Sequence, residues 1–157
     1  MQVQLKRIGH FVVCVLRCNL QLMGTHIIPG SVIFTGDHKR LAKFYEAVTG
    51  LTVSYSDDQV TILRSEIYEL VLHAIRGEPV VEDPPQPRED TYIKPFFVVA
   101  SLAETRKKAA AYGGKLKPAD KEWEARGFRA SEAIDPDGNV IQFREILSGW
   151  DSVPTPS

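Results

Sequence analysis

Cysteine is scarce in this 157-residue chain: Cys14 and Cys18 are the only two, and both stand near the N-terminus. Two cysteines cannot form a disulfide framework, and a C-x3-C pair with no Cys or His partner nearby is a poor zinc signal. They are read as reduced thiols in a cytoplasmic protein. Histidine is sparse too, with four in the chain. A phosphate-cradling glycine loop, a GxSxG nucleophile turn and a spaced Cys–His pair are all missing. The formal net charge of −1 argues against a nucleic-acid or anionic-membrane surface. No apolar run approaches the ~20 residues of a membrane span. Residues 1–23 carry Lys6 and Arg7 before an apolar stretch at 10–16, but Arg17 interrupts it and no small-residue cleavage site follows. They are read as an extra strand or an N-terminal extension rather than a signal peptide, with Met23 as an alternative translation start.

What the chain does contain is a repeat. Asp37, Leu41, Phe44 and Tyr45 lead to Gly50 after the apolar run Val32-Ile33-Phe34; Ser101, Leu102 and Glu104 lead to Gly114 after Phe96-Phe97-Val98-Val99. The two copies keep an offset of 64 residues at both ends. A strand–helix–strand unit written twice indicates two copies of one module, and paired modules commonly enclose a site between them.

Local signals fill in each copy. Asp37 is a good N-cap, Leu41, Phe44, Tyr45 and Val48 follow the helical stripe, and Gly50 stops the helix. Strands are expected at 51–55, 59–63 and 67–74, the first two joined by a turn at Ser56-Asp57-Asp58. Residues 77–90 hold four prolines and five acids, which disfavours helix and strand. They read as part of a linker over 76–91. In the second copy, Ser101 and Glu104 form a capping box and Gly113-Gly114 close the helix. A polar stretch at 117–126 contains Trp123; strands follow at 127–134 and 140–146 around Asp135-Pro-Asp-Gly-Asn139. The turn suits aspartate, asparagine and a glycine at positive φ. Each copy reads β-α-β-β-β, and neither can bury much core alone. The fold class is α+β: two βαβββ modules forming a paired, cleft-enclosing mixed sheet, in one domain over 24–147 (module one 30–75, module two 92–146) with a flexible tail at 148–157.

Residues 37–50 with Phe44-Tyr45 and Thr49-Gly50-Leu51, residues 94–114, and residues 135–145 together resemble the vicinal oxygen chelate superfamily. That superfamily includes glyoxalase I, extradiol dioxygenases, fosfomycin-resistance enzymes and bleomycin-resistance proteins. The match covers residues 30–146. It is specific for fold and weaker for activity, because such a fold hosts several chemistries.

In metal-using members, the resemblance implies, ligands come from the start of the first strand and from the last strand of each module. Those positions here are Gly30, Glu69, Lys94 and Gln142. Glycine has no side chain to offer, and a lysine of ordinary pKa ~10.4 is a cation that repels a metal. Gln142 is a weak neutral donor, so Glu69 is the one strong ligand. The expectation is therefore no metal and no other cofactor. Histidine does not repair the set: His26 misses the register and His38, beside the N-cap, is expected in solvent. His73 shares a strand face with Glu69 but lies ~13 Å away; it lines the pocket or belongs to its rim.

Three roles stand open for Lys94 and Glu69: an ion pair hydrogen-bonded by Gln142 in place of the metal, direct ligand binding by Lys94, or acid–base catalysis with Glu69. Strand parity adds Val32, Phe34, Phe96, Val98 and Arg144 to the pocket and turns Ile141 and Phe143 to the other face. Trp123 either lids the pocket from a loop or covers a sheet edge, and Arg129 is a candidate to project inward. The Lys39-Arg40 and Arg106-Lys107-Lys108 clusters are read as solvated helix surface. The ligand-binding set is thus Lys94, Gln142, Arg144, Glu69, His73, Phe34, Phe96 and Trp123, suited to a small amphipathic or anionic molecule.

The leading functional expectation is a metal-independent protein of bleomycin-resistance type that binds a small molecule. The alternative is an enzyme of lactoylglutathione lyase, isomerase or dioxygenase type, and a third is an interaction module without a small-molecule site. A homodimer is expected from the resemblance, with no nucleic-acid or membrane partner.

Overall fold

The computed structural model describes residues 6–8, 11–13, 28–75, 86–89 and 92–147. His26, the tail at 148–157, most of residues 1–23 and most of the linker lie outside the described residues. Within the N-terminal extension, β1 (Lys6–Ile8) pairs antiparallel with β2 (Phe11–Val13).

Module one runs β3 (Gly30–Thr35), α1 (His38–Thr49), β4 (Thr52–Ser56), β5 (Val60–Arg64) and β6 (Glu69–Ala74). Its sheet has the order β3-β6-β5-β4, with β3 parallel to β6 and the other pairs antiparallel. The caps are those the residues favour. The Asp37 carboxylate accepts the Arg40 amide at 2.9 Å, and Gly50 takes the left-handed conformation at φ 74°.

Module two repeats the plan with β7 (Phe96–Val99), α2 (Leu102–Ala111), β8 (Lys115–Leu116), β9 (Trp123–Ala125), β10 (Phe128–Ile134) and β11 (Val140–Ile146). Here β7 is parallel to β11, which pairs with β10, and β10 carries both β8 and β9. The second strand of this module is therefore split in two around a 3-10 turn at Ala119–Lys121. Trp123 belongs to β9, which corrects its placement in a loop. The polar composition of 117–126 hid the strand because three residues are too few for a period to show.

The helices lie on one side of the sheets and a single core joins the modules there. Leu41, Phe44, Tyr45 and Val48 of α1 pack with Leu63, Leu70 and Leu72 of module one and with Phe97, Leu102, Ile141 and Phe143 of module two. A buried side chain of this size contributes about 1.5–3 kcal/mol. Gly114 explains the closeness of the joint: a Cβ there would lie 2.3 Å from the Phe44 ring.

Polar contacts lock the same joint. Tyr45 Oη donates to Asp135 Oδ2 at 2.8 Å, Thr35 Oγ1 donates to Asp137 Oδ2 at 2.5 Å, and Arg40 Nη2 donates to Asp137 Oδ1 at 2.6 Å. Asp135 also accepts the amides of Asp137 and Asn139, and Asn139 Nδ2. The turn that closes module two is thus a clasp onto module one, and Arg40 is not simply solvated surface. Arg106 likewise bonds to the Lys117 carbonyl and to Glu122. His38 is buried, with Nδ1 2.8 Å from Thr61 Oγ1, because the start of α1 folds down onto β5. The expectation of a solvated His38 is corrected accordingly.

Candidate functional site

The faces of both sheets turned away from the helices carry the candidate residues. On β3, parity sends Ile33 and Thr35 toward the core and Gly30, Val32 and Phe34 to the open face. Cross-strand pairing aligns these three with Glu69, Val71 and His73 of β6. Arg64, Ile62 and Val60 of β5 continue the rows. This face is mainly apolar, with Phe34 and His73 rings 5.6 Å apart. Its one ion pair among the described residues is local: Arg64 Nε donates to Glu69 Oε2 at 2.6 Å.

Module two builds its face from Phe96 and Val98 of β7, Gln142 and Arg144 of β11, and Glu132, Ala130 and Phe128 of β10. Arg144 is clamped. Its guanidinium carbon sits 3.6 Å from the centre of the Phe96 ring and 4.5 Å from that of Phe128, while Nε donates to Gln142 Oε1 at 2.6 Å. Burial and the neighbouring Arg126 hold its pKa below the ordinary value. Trp123, paired opposite Ala130, meets Phe128 edge-on at 5.8 Å.

Lys94 and Lys117 both donate to the Glu132 carboxylate, one to each oxygen. These bonds hold Glu132 below the usual carboxylate range and raise Lys117. Lys94 therefore pairs with Glu132 and Glu69 with Arg64, correcting the expected Lys94–Glu69 pair: each charge finds a partner on its own sheet. Arg129 faces the other side, bonded to Glu145 at 2.9 Å, because its odd position opposes that of Glu132. An open depression of about 430 Å³ beside this face is lined by Lys117, Lys121, Trp123 and Glu132.

Glu132, Lys117 and Phe128 escaped the sequence reading, although a signal existed. A hairpin turning at 135–139 pairs 134 with 140, and counting back sets Glu132 opposite Gln142 and Phe128 opposite Ile146.

The candidate residues thus fall into two groups. Phe34, Glu69 and His73 share the open face of module one; Lys94, Phe96, Trp123, Gln142 and Arg144 share that of module two. The polar contacts between modules lie on the helix side, and Val32, Phe34, Phe96 and Val98 remain about half exposed.

A family model for glyoxalase-like domains matches residues 31–143. The chain belongs to this family. With it comes membership of the vicinal oxygen chelate superfamily, and solved structures agree on the fold. A glyoxalase/bleomycin resistance protein/dioxygenase family enzyme from Burkholderia phytofirmans is 18% identical, covering 75% of this chain and 97% of its own, with a TM-score of 0.56. A glyoxalase/bleomycin resistance protein from Albidiferax ferrireducens is 17% identical over 76% of this chain and 97% of its own, with a TM-score of 0.57. A glyoxalase I variant from Zea mays reaches a TM-score of 0.58 at 16% identity, with 74% of this chain matching 44% of that one. No curated protein matches the chain in sequence.

The metal of metal-using relatives does not fit the four equivalent positions. A Cβ on Gly30 would stand 2.3 Å from the Glu69 carbonyl oxygen, so the backbone itself closes that position to a ligand side chain. Lys94 is a cation engaged with Glu132, Gln142 accepts from Arg144, and Glu69 is engaged with Arg64. Among the described residues, no three His, Cys, Asp or Glu side chains group as a metal site. Nor is any helix among them long and apolar enough to cross a membrane.

Proposed function

We propose that this glyoxalase-like protein binds a small molecule on the open faces of its sheets without a metal ion, in the manner of a bleomycin-resistance protein rather than a metal-dependent enzyme. The carrying observation is the conversion of the ligand positions: Gly30 is closed by the Glu69 backbone, and Lys94, Glu69 and Gln142 are each tied into local side-chain contacts. Around them lie exposed aromatic and aliphatic side chains, with a few polar groups to orient a ligand. The same half-exposed residues support a homodimer, in which the open face of one protomer is covered by its partner and the pocket is completed between them. With two cysteines and little net charge, the protein is assigned to the cytoplasm, with neither nucleic acid nor membrane as partner.

The alternative is a superfamily enzyme of lactoylglutathione lyase, isomerase or dioxygenase type, and Glu69 keeps it in view as the one carboxylate at a ligand position. Metal content of the purified protein, with thermal shifts for nickel, zinc, manganese and ferrous iron, separates the two. The expected result is no stoichiometric metal and no shift. Stoichiometric metal, or a large shift with one ion, overturns the metal-free reading.

A further inference from the structure

Resting on the small-molecule reading above, we propose that the open face of module two recognises a carboxylate attached to a flat apolar body, with the free edge of Arg144 as its receptor. The first support is a contrast among the arginines. Arg40, Arg64, Arg106 and Arg129 each hold a carboxylate, on Asp137, Glu69, Glu122 and Glu145 respectively. Arg88, Arg126 and Arg144 make no such pair among the described residues; of the three, Arg144 is the one held between two aromatic rings, and its only hydrogen bond there is from Nε to the neutral oxygen of Gln142.

Geometry decides what remains for a ligand. Phe96 and Phe128 cover the guanidinium carbon at 3.6 and 4.5 Å, and Gln142 takes Nε. Among the described residues the two terminal nitrogens stay unpaired, in the planar fork that matches a carboxylate two bonds at a time. Aromatic packing and the Gln142 bond hold this fork in place before any ligand arrives, which lowers the entropy lost on binding.

The field over the face has the matching sign. Lys94 and Lys117 flank Glu132, Arg126 lies 5.9 Å from the Phe128 ring, and Lys121 borders the depression beside Trp123. Glu132 is the only acid that β7, β9, β10 and β11 place on this face, although Glu89 acts on Lys117 from the connecting segment and Asp120 lies 3.9 Å from the Lys121 ammonium. Cations thus outnumber acids, and an incoming anion is drawn in. The apolar half of the specificity comes from Phe96, Val98 and Trp123, all substantially exposed. A flat hydrocarbon body laid there is removed from water while its acid reaches Arg144.

Isothermal titration of the full chain with benzoate, benzamide and phenyl phosphate tests this assignment. The acid and the amide share a shape and differ in charge. Benzoate is expected to bind about tenfold more tightly than benzamide, the order of one charge-assisted hydrogen bond. Arg144→Met, which keeps a side chain of similar length between the rings, should erase that preference. Arg144→Lys, which keeps charge without the fork, should lose most of it and serves if the first variant does not fold. Equal binding of benzoate and benzamide, a preference that survives both substitutions, or no benzoate binding overturns the proposal. Tighter, Arg144-dependent binding of phenyl phosphate overturns the carboxylate assignment in favour of a tetrahedral anion. Binding of benzamide alone would sink the anion receptor while leaving a small-molecule pocket; a broad panel of neutral and charged compounds with no heat and no thermal shift would sink both.

Discussion

The two modules share a topology but not a surface chemistry. On the open face of module one the charged pair Arg64 with Glu69 cancels itself, and the other residues that β3, β5 and β6 place there are glycine, valine, isoleucine, phenylalanine and histidine. The equivalent face of module two holds a clamped arginine, two lysines on one glutamate and three aromatic rings. Both modules keep what a sheet and helix need in order to pack, while the faces directed away from the core differ. Module one thus presents a mainly apolar wall and module two a charged one, and the four positions equivalent to the ligands of metal-using relatives hold Gly30, Glu69, Lys94 and Gln142.

The largest expected effect comes from separating the modules at the clasp. Asp135 is fully buried and receives four donors: Tyr45, the amides of Asp137 and Asn139, and the Asn139 side chain. Asp135→Asn keeps the size but turns an amide group toward donors it cannot accept. The loss should be about 3 kcal/mol at pH 4, measured by urea unfolding. Burial raises the Asp135 pKa from 3.8 to about 6. The folded state therefore holds this proton more tightly than the unfolded chain, and the stabilisation it brings is present below pH 4 and lost as pH rises through 6. The stability gap between the native protein and Asp135→Asn should accordingly narrow from pH 4 to pH 7, by up to about 3 kcal/mol. A gap independent of pH would place a permanently charged carboxylate in the joint.

A second cut at the same joint is steric. In Gly114→Ala the new methyl meets the Phe44 ring and approaches the Ile134 carbonyl, where a Cβ would lie 2.8 Å from the oxygen. Overpacking of this kind should cost about 2 kcal/mol in thermal or urea unfolding. Because both modules share one core, the transition should stay single and shift as a whole. Two resolved transitions would mean that the modules fold independently.

The fold was legible because its signals are local and repeated. Asp37 and Gly50 mark one helix, Ser101 marks the start of the other, and the Asp135–Asn139 turn sets the hairpin that follows. The same parity that buried Ile141 and Phe143 brought out Gln142 and Arg144. What escaped depends on partners far apart in sequence. Asp135 and Asp137 read as turn formers, and nothing local tells that Tyr45, Thr35 and Arg40 wait 90 or more residues away. The pairing of Lys94 with Glu132 escaped for a related reason. An inherited ligand pattern directed attention to Glu69, whereas strand register, the quantity that decides contact, required β10 to be aligned with β11.

The smallest change in stability offers the sharpest test of the contrast between the faces. Glu69→Gln and Glu132→Gln remove the same charge from the open faces of the two modules, and both carboxylates are partly exposed, so each should shift stability by less than about 1 kcal/mol. Their consequences for an anion should differ. Glu132→Gln releases Lys94 and Lys117 on the face that holds Arg144, and benzoate affinity by titration should rise about threefold, most visibly at low salt. Glu69→Gln releases Arg64 on the other sheet and should leave that affinity within about twofold of the native protein's. Equal gains from both would merge the two faces into one site and return Glu69 to the ligand. A fall with Glu132→Gln would show that its carboxylate orders the lysines for binding rather than competing for them.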